Sequence, residues 1–394
     1  MRFNTRNISQ APGFPGLSSF LRNRNMATAS KIHLSATQIP QYRVENLSSE
    51  SAQKASELLQ INHEKHHVFF NQDGFHNHIA HHLLTLFALG GTPTQLQTAY
   101  DDNATYQRAP EPLEPSIVTD MHDPARFTSY LGQEQYYHDF LVFFRGEIDS
   151  KGWETVLQEY LFAETSLADD MLVRLYAGFL HPLIHLGFGV EFEQPGIIAE
   201  ALAQTAVHDA WMKGFFVGCE EKVRERGGKG AGKTIVQVLE ECRADEKVRS
   251  AARESDANKI RDGILKRAPR EMIDLATQCF VSEGDDVEEK TAEMINAADF
   301  FYMHSLNASI FFPRFLSLSH SHPAIFSPST TRRLLNYKIW SDIVIYVSRG
   351  CPPLLLTEIS HYKAARPGDL QDVIERVKQL KGDDGHAVKL VGGG

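Results

Sequence analysis

Eighteen histidines are spread along this chain of 394 residues, and several fall at spacings that bring imidazoles together. The run His76-Asn77-His78-Ile79-Ala80-His81-His82 opens a predicted helix from near Asn77 to Leu89, which Gly90-Gly91 stops. His78 and His82, one helical turn apart, would project from one face and could reach a common ion. Ile79, Leu83, Leu86 and Phe87 would seat the adjoining face in a core. His76 and His81 read instead as imidazoles hydrogen-bonded near the helix N-terminus.

The second cluster, His181-Pro182-Leu183-Ile184-His185, ends a helical stripe of Leu167, Met171, Leu172, Leu175 and Phe179. Pro182 cannot donate to the Gly178 carbonyl, so a helix over 166–186 should kink or stop there. The kink weakens the common-face argument for His181 and His185: one is expected to bind metal and the other to contact substrate or support the shell. His304 stands between Phe300, Phe301, Asn307 and Ala308, where a lone histidine is more often a satisfied core residue than a ligand, although histidine is the commonest metal ligand. In Gly382-Asp383-Asp384-Gly385-His386-Ala387-Val388-Lys389, Asp383 or Asp384 can cap a short helix, placing His386 and Lys389 on one side. An ordinary amphipathic terminus with an exposed lysine is the plain alternative.

Two nucleotide signatures fail on context. Gly227-Gly228-Lys229-Gly230-Ala231-Gly232-Lys233-Thr234 satisfies the P-loop pattern, but the residues before it, Glu220 to Arg226, read as a solvated helical end rather than the buried strand a phosphate cradle requires. It reads as a Gly/Lys loop. No G-x-G-x-x-G lies between a strand and a helix, so a flavin is not expected.

The elements that must position these residues are helical. Ala52, Ala55, Leu58 and Leu59 form a stripe, Thr92-Pro93 has the form of a helix start, and segments 133–149, 152–163, 166–186, 195–218, 234–250 and 288–312 fit helices. The β-like run 343–347 has neighbours at helical spacing and is read as helix too. The predicted class is mainly α: one large helical domain over 45–394, its metal site formed between helices. The aromatic stretches Val68-Phe69-Phe70, Tyr136-Tyr137, Phe143-Phe144 and Phe311-Phe312 are core or pocket lining.

Composition sets the outer bounds. The four cysteines form no close pair and read as buried thiols, and no apolar run reaches transmembrane length. The first 44 residues hold six basic residues and no acid, so a net charge of −10 leaves −16 on the remainder. Such a body repels nucleic acid and anionic membrane and points to a small-molecule partner. Residues 1–44 are expected to be a basic, disordered extension. Met26-Ala27-Thr28-Ala29-Ser30-Lys31 reads as an ordinary initiator, which implies a cytoplasmic protein; a mitochondrial transit peptide over 1–25 is the alternative.

Taken together, FHNHIAHHLL, HPLIHLGFGVEF, FYMHSLNASIFFPRF and GDDGHAVKLV resemble the questin oxidase-like family over roughly residues 26–390. The resemblance implies oxygen-dependent, Baeyer–Villiger-type cleavage of a hydroxyanthraquinone ring in fungal polyketide biosynthesis. It implies non-haem iron(II) on His78, His181, His304 and His386 with a carbamylated Lys389, and it leaves His82 and His185 as catalytic or supporting groups. NADPH is implied as an electron donor, without a binding fingerprint. Carbamylation needs a neutral amine to attack CO2, so Lys389 should be desolvated with a lowered pKa. Family members continue beyond this stretch with a basic helical segment, where this chain reads Val391-Gly392-Gly393-Gly394; a looser helix behind His386 and Lys389 is the expectation. Two rivals use the same residues differently: a metal hydrolase or lactonase would activate water, and a non-catalytic helical binding protein would hold no metal.

Overall fold

Several helices start where the sequence supplies a side-chain acceptor. Ser48 accepts from the Ser51 amide, and Thr92 with Gln95 and Thr234 with Gln237 form reciprocal capping boxes. Each satisfies amides that have no partner inside the helix. The computed structural model describes residues 26–228, 232–298, 303–355, 357 and 361–393. Among them the regular structure is helical, with two isolated β-bridges, Thr28–Lys31 and Phe69–His76. The β-like run 343–347 is helical, as its neighbours predict. One continuous apolar core runs through the helices, which form a single domain, and all four cysteines are buried in it.

Seven helices carry the site: α1 (Ser49–Lys65), α2 (Ile79–Ala88), α3 (His181–Glu191), α4 (Pro195–Val207), α5 (Met303–Ser309), α6 (Pro328–Ser348) and α7 (His386–Gly393). The α2 sequence is largely apolar and every residue of it, His81, His82 and Thr85 included, is buried, as expected of a central helix. Val388 of α7 is buried, and a Cβ at Gly392 would stand 2.8 Å from the Thr85 methyl of α2, so glycine is what lets these two helices approach.

The helix expected over 166–186 is in fact two. Ser166–Leu175 ends at Tyr176, and the chain turns through Gly178, Phe179 and Leu180, all at positive φ. It restarts as α3 at 67° to the first helix. Pro182 lies in the first turn of α3, where a missing N–H removes no hydrogen bond, so the proline starts a helix rather than kinking one. His181 and His185 therefore share one regular helix. The helix expected over 195–218 is likewise interrupted between Val207 and Lys213, and His208 stands in the break.

Residues 26–44, expected in a disordered extension, are packed. Ala29, Ile32 and Leu34 are buried, the Ile32 amide donates to Gln60, and the His33 amide donates to Gln194. Basic composition masked three apolar anchors. Residues 1–25 lie outside the described residues, as do Lys229 to Ala231 of the P-loop-like run. The described part of that run follows the helix Lys213–Glu225 and leads into the cap at Thr234, with no strand feeding it. Among the described residues no single helix is long and apolar enough to cross a membrane.

Candidate metal centre

The centre forms where the starts of α2, α3, α5 and α7 meet. His78 is the residue before α2, His181 the first of α3, His304 the second of α5, and His386 the first of α7. The Nε2 atoms of His78 and His181 face each other at 2.8 Å. Ring centroids lie 4.5 Å apart for His78 and His386, 4.7 Å for His181 and His304, and 5.3 Å for His304 and His386. Four segments remote in sequence thus place four imidazoles around one point. Asp384 joins them: its carboxylate lies 2.5 Å from His386 Nδ1 and 3.6 Å from His78 Nδ1. One ligand atom from each of His78, Asp384 and His386 falls within 4.8 Å of the others. Asp383 instead caps α7, accepting from the amides of Ala387 and Val388.

Lys389, one turn into α7, is 1% exposed, and its Nζ has no hydrogen-bond partner. Burial pushes its pKa down to about 8, against the pull of Asp384 and Asp383. Burial, followed by the charge of Lys389, lowers His78 and His304 to about 3, and burial with the neighbouring His76 drives His181 well below its ordinary value. Burial opposes the charge on Asp384, yet hydrogen bonds from His386 and His78 hold it well below the usual carboxylate range. The result is a nest in which burial keeps His78, His181 and His304 neutral, beside one anionic carboxylate and one amine with nothing to donate to. His386 Nε2 is also buried without a partner. Orphaned nitrogens at this density are costly unless something accepts their lone pairs, and neutral imidazole is the form that binds a metal ion. The donor set therefore fits a cation of intermediate softness such as iron(II).

Behind the centre runs a second histidine chain. His81 Nε2 lies 3.1 Å from His185 Nδ1, His185 Nε2 lies 2.7 Å from Glu200, and the other Glu200 oxygen lies 2.6 Å from His63 Nδ1. All four side chains are buried. Neutral tautomers satisfy every link if His81 donates to His185 while His185 and His63 both donate to Glu200. Burial raises the Glu200 pKa, but the two histidines outweigh it and bring it down to about 2.

In front of the centre lies a cavity of about 910 Å³, lined among others by His78, His181, His304, His386, Phe69 and Trp211. His76 stacks on His181 with centroids 3.9 Å apart, and its Nε2 lies 2.8 Å from His208 Nε2 on the cavity wall. Gly178 makes room for that pair, since a Cβ there would fall 2.6 Å from His208 and 2.8 Å from His76.

All five residues of the implied ligand set are therefore brought together. His82 does not share the ion-facing side with His78: it turns toward Asp383 at 3.9 Å and Asn103 at 3.4 Å. His82 and His185 lie behind the centre and do not line the cavity, where catalytic contact with a substrate would require them. His76, expected as a helix-end hydrogen bonder, is on the cavity wall. Sequence reasoning missed Asp384 as a member of the centre, together with His208, Glu200 and His63. Only Asp384 had a local signal, the paired carboxylates just before His386. Of the aromatic stretches, Phe69 and Phe70 line the cavity, whereas Tyr137, Phe143, Phe144, Phe311 and Phe312 are core.

The sequence profile of the questin oxidase-like family matches residues 75–392, a span that includes all of these histidines from His76 onward. The chain belongs to the questin oxidase-like family. It is 38% identical to the oxidoreductase AflY of Aspergillus parasiticus over 405 aligned residues, covering 97% of this chain and 80% of that protein. Baeyer-Villiger oxidase ptaJ of Pestalotiopsis fici is 38% identical over 93% of this chain and 85% of its own length. Questin oxidase of Aspergillus terreus is 36% identical over the same shares. The protein is an oxidoreductase, an oxidase of the kind found in fungal secondary metabolism, with a small-molecule substrate and oxygen as its reactants.

Proposed function

We propose that this protein opens a ring of a hydroxyanthraquinone-type polyketide by Baeyer–Villiger-like oxidation, at a non-haem iron(II) held by His78, His181, His304, His386 and a carbamylated Lys389. One observation carries the reading: a fully buried, unpartnered amine among four converging imidazoles, at the inner end of a cavity large enough for a fused aromatic ring system. The names of the relatives, questin oxidase and Baeyer-Villiger oxidase, supply the reaction class and the substrate class.

Iron(II) in such a nitrogen-rich set supplies activation of O2. The chain's own residues do the rest. Burial holds Lys389 at about 8, so part of it is neutral near neutral pH and able to add CO2. The carbamate so formed replaces a cation by an anion, which suits four imidazole ligands around a metal ion. Asp384 takes the Nδ1 side of His386 and lies near that of His78, leaving both Nε2 atoms free to ligate. Phe69, Phe70 and Trp211 offer flat apolar surface for the substrate.

In net terms, one atom of O2 enters beside the ring carbonyl to give a lactone, and water opens the lactone to a benzophenone acid. The second oxygen atom leaves as water on reduction by two electrons and two protons, with NADPH as the donor. Turnover of a hydroxyanthraquinone under isotopically labelled O2 tests the reading: one labelled oxygen in the product is expected. Unlabelled product, or product formed without O2, would instead indicate water activation by a hydrolase.

A further inference from the structure

The cavity has a polar wall that the iron site does not use. Ser305 follows His304 on α5, and Ser341 comes from α6; both line the cavity, are at most 1% exposed, and have hydroxyls without a hydrogen-bond partner. Buried hydroxyls are normally satisfied, and both of these serines line the same, partly apolar cavity. Directly behind them lies a buried ion pair within α6, Lys338 with Asp342. Lys338 engages one oxygen of Asp342; the other, Oδ1, has no partner. Ser305 lies beside that carboxylate, where its hydroxyl favours the charged form that burial opposes, although no hydrogen bond between the two is formed. An ion pair sealed from water is expensive to keep, and a carboxylate oxygen left open beside a cavity-wall serine is an acceptor waiting for a donor.

We infer that Ser305 and Ser341, backed by Asp342, form a subsite that recognises a phenolic hydroxyl of the substrate. A small rotation lets the Ser305 hydroxyl donate to Asp342. Its lone pairs then face the cavity and accept from the ligand O–H. Ser341 supplies a second polar contact to the same oxygen. Because Asp342 claims the serine proton, the subsite discriminates for a hydrogen-bond donor: a free phenol fits, and the corresponding methyl ether leaves Ser305 unsatisfied. Since Ser305 adjoins His304, the bound hydroxyl fixes which ring of a fused system is presented to the centre.

This inference rests on the aromatic-substrate reading above, and the test separates the two. Isothermal titration of the full-length protein with a trihydroxyanthraquinone and with each of its mono-O-methyl ethers measures binding without turnover. Wild type is expected to bind the free phenol about tenfold more tightly than one of the ethers, the scale of a single well-made hydrogen bond. Ser305→Ala with Ser341→Ala should bring that ratio to within about twofold, while Ser305→Thr, which keeps the hydroxyl, should largely preserve it. The thermal midpoint of the double variant should be unchanged or raised, because it removes orphan hydroxyls; a purely structural role would lower it. A double variant that keeps the wild-type preference overturns the subsite alone. Wild type that binds none of the probes overturns the aromatic-substrate reading and the subsite with it.

Discussion

Acidification of the metal-free protein should be far more damaging than is usual for a helical domain. Burial depresses the pKa values of many histidines, and in five of them the values are about 3 or 4: His67, His78 and His304 at about 3, His82 and His208 at about 4. Burial is the first cause in each. His67 shows the geometric reason: its Nδ1 accepts from the Phe69 amide at 2.9 Å and faces the Arg108 guanidinium at 3.2 Å, so a proton there would displace both. These groups are depressed in the folded state, so the unfolded chain binds protons first as pH falls below about 6.5, and stability drops from that point down to the folded values.

At about pH 5.5 each such histidine costs RT ln(1 + 10), or ~1.4 kcal/mol, and the five together cost ~7 kcal/mol. That is comparable to the entire stability of an ordinary domain, about 5–15 kcal/mol. Lys389 contributes little to the change, since its folded value of about 8 lies above this window, and Glu200 titrates well below it. Urea unfolding of chelator-treated protein, followed by circular dichroism at about pH 7.5 and about pH 5.5, measures the difference. A loss of less than about 1.4 kcal/mol, the share of a single histidine, would refute the reasoning.

Other consequences follow from single contacts. Glu200→Gln should lower stability near pH 7 by ~3 kcal/mol, because a carboxylate held at about 2 rather than its ordinary 4.5 stabilises the fold above pH 4.5 and loses that contribution toward pH 2; an unchanged urea midpoint would show that the His185–Glu200–His63 bridge is dispensable. Gly178→Ala should impair turnover with only a modest loss in thermal midpoint, since its Cβ would strike His208 and His76 at positive φ; full activity would remove that pair from the site. Gly385→Ala, with a Cβ 2.8 Å from His82 and φ of +94°, should cost ~1–3 kcal/mol and displace α7, read as reduced metal content after purification; normal metal content would mean that α7 tolerates the shift.

The helices were legible in the sequence because their signals are local. Thr92-Pro93, Gly90-Gly91 and the stripe at Ala52, Ala55, Leu58 and Leu59 act within a turn or two. The site was only half legible for the same reason. His78 and His181 could be suspected from their clusters, but His304 and Lys389 sit on segments that look like core and like an exposed terminus, and motif resemblance alone singled them out. Nothing local in Val207-His208-Asp209 shows that the helix breaks there and delivers an imidazole to His76. Glu200, on an otherwise apolar helix, meets His63 across 137 positions of chain; its pairing is a product of tertiary packing. The proline misled because position decides its effect: Pro182 would disrupt the middle of a helix and is harmless in its first turn.

The central claim is that four distant histidines and Lys389 hold one non-haem iron. Metal analysis of the purified protein beside His304→Ala and Lys389→Ala measures it most directly. The account predicts close to one iron per wild-type chain and its loss, together with turnover, in both variants. Iron content and turnover surviving both substitutions would contradict it.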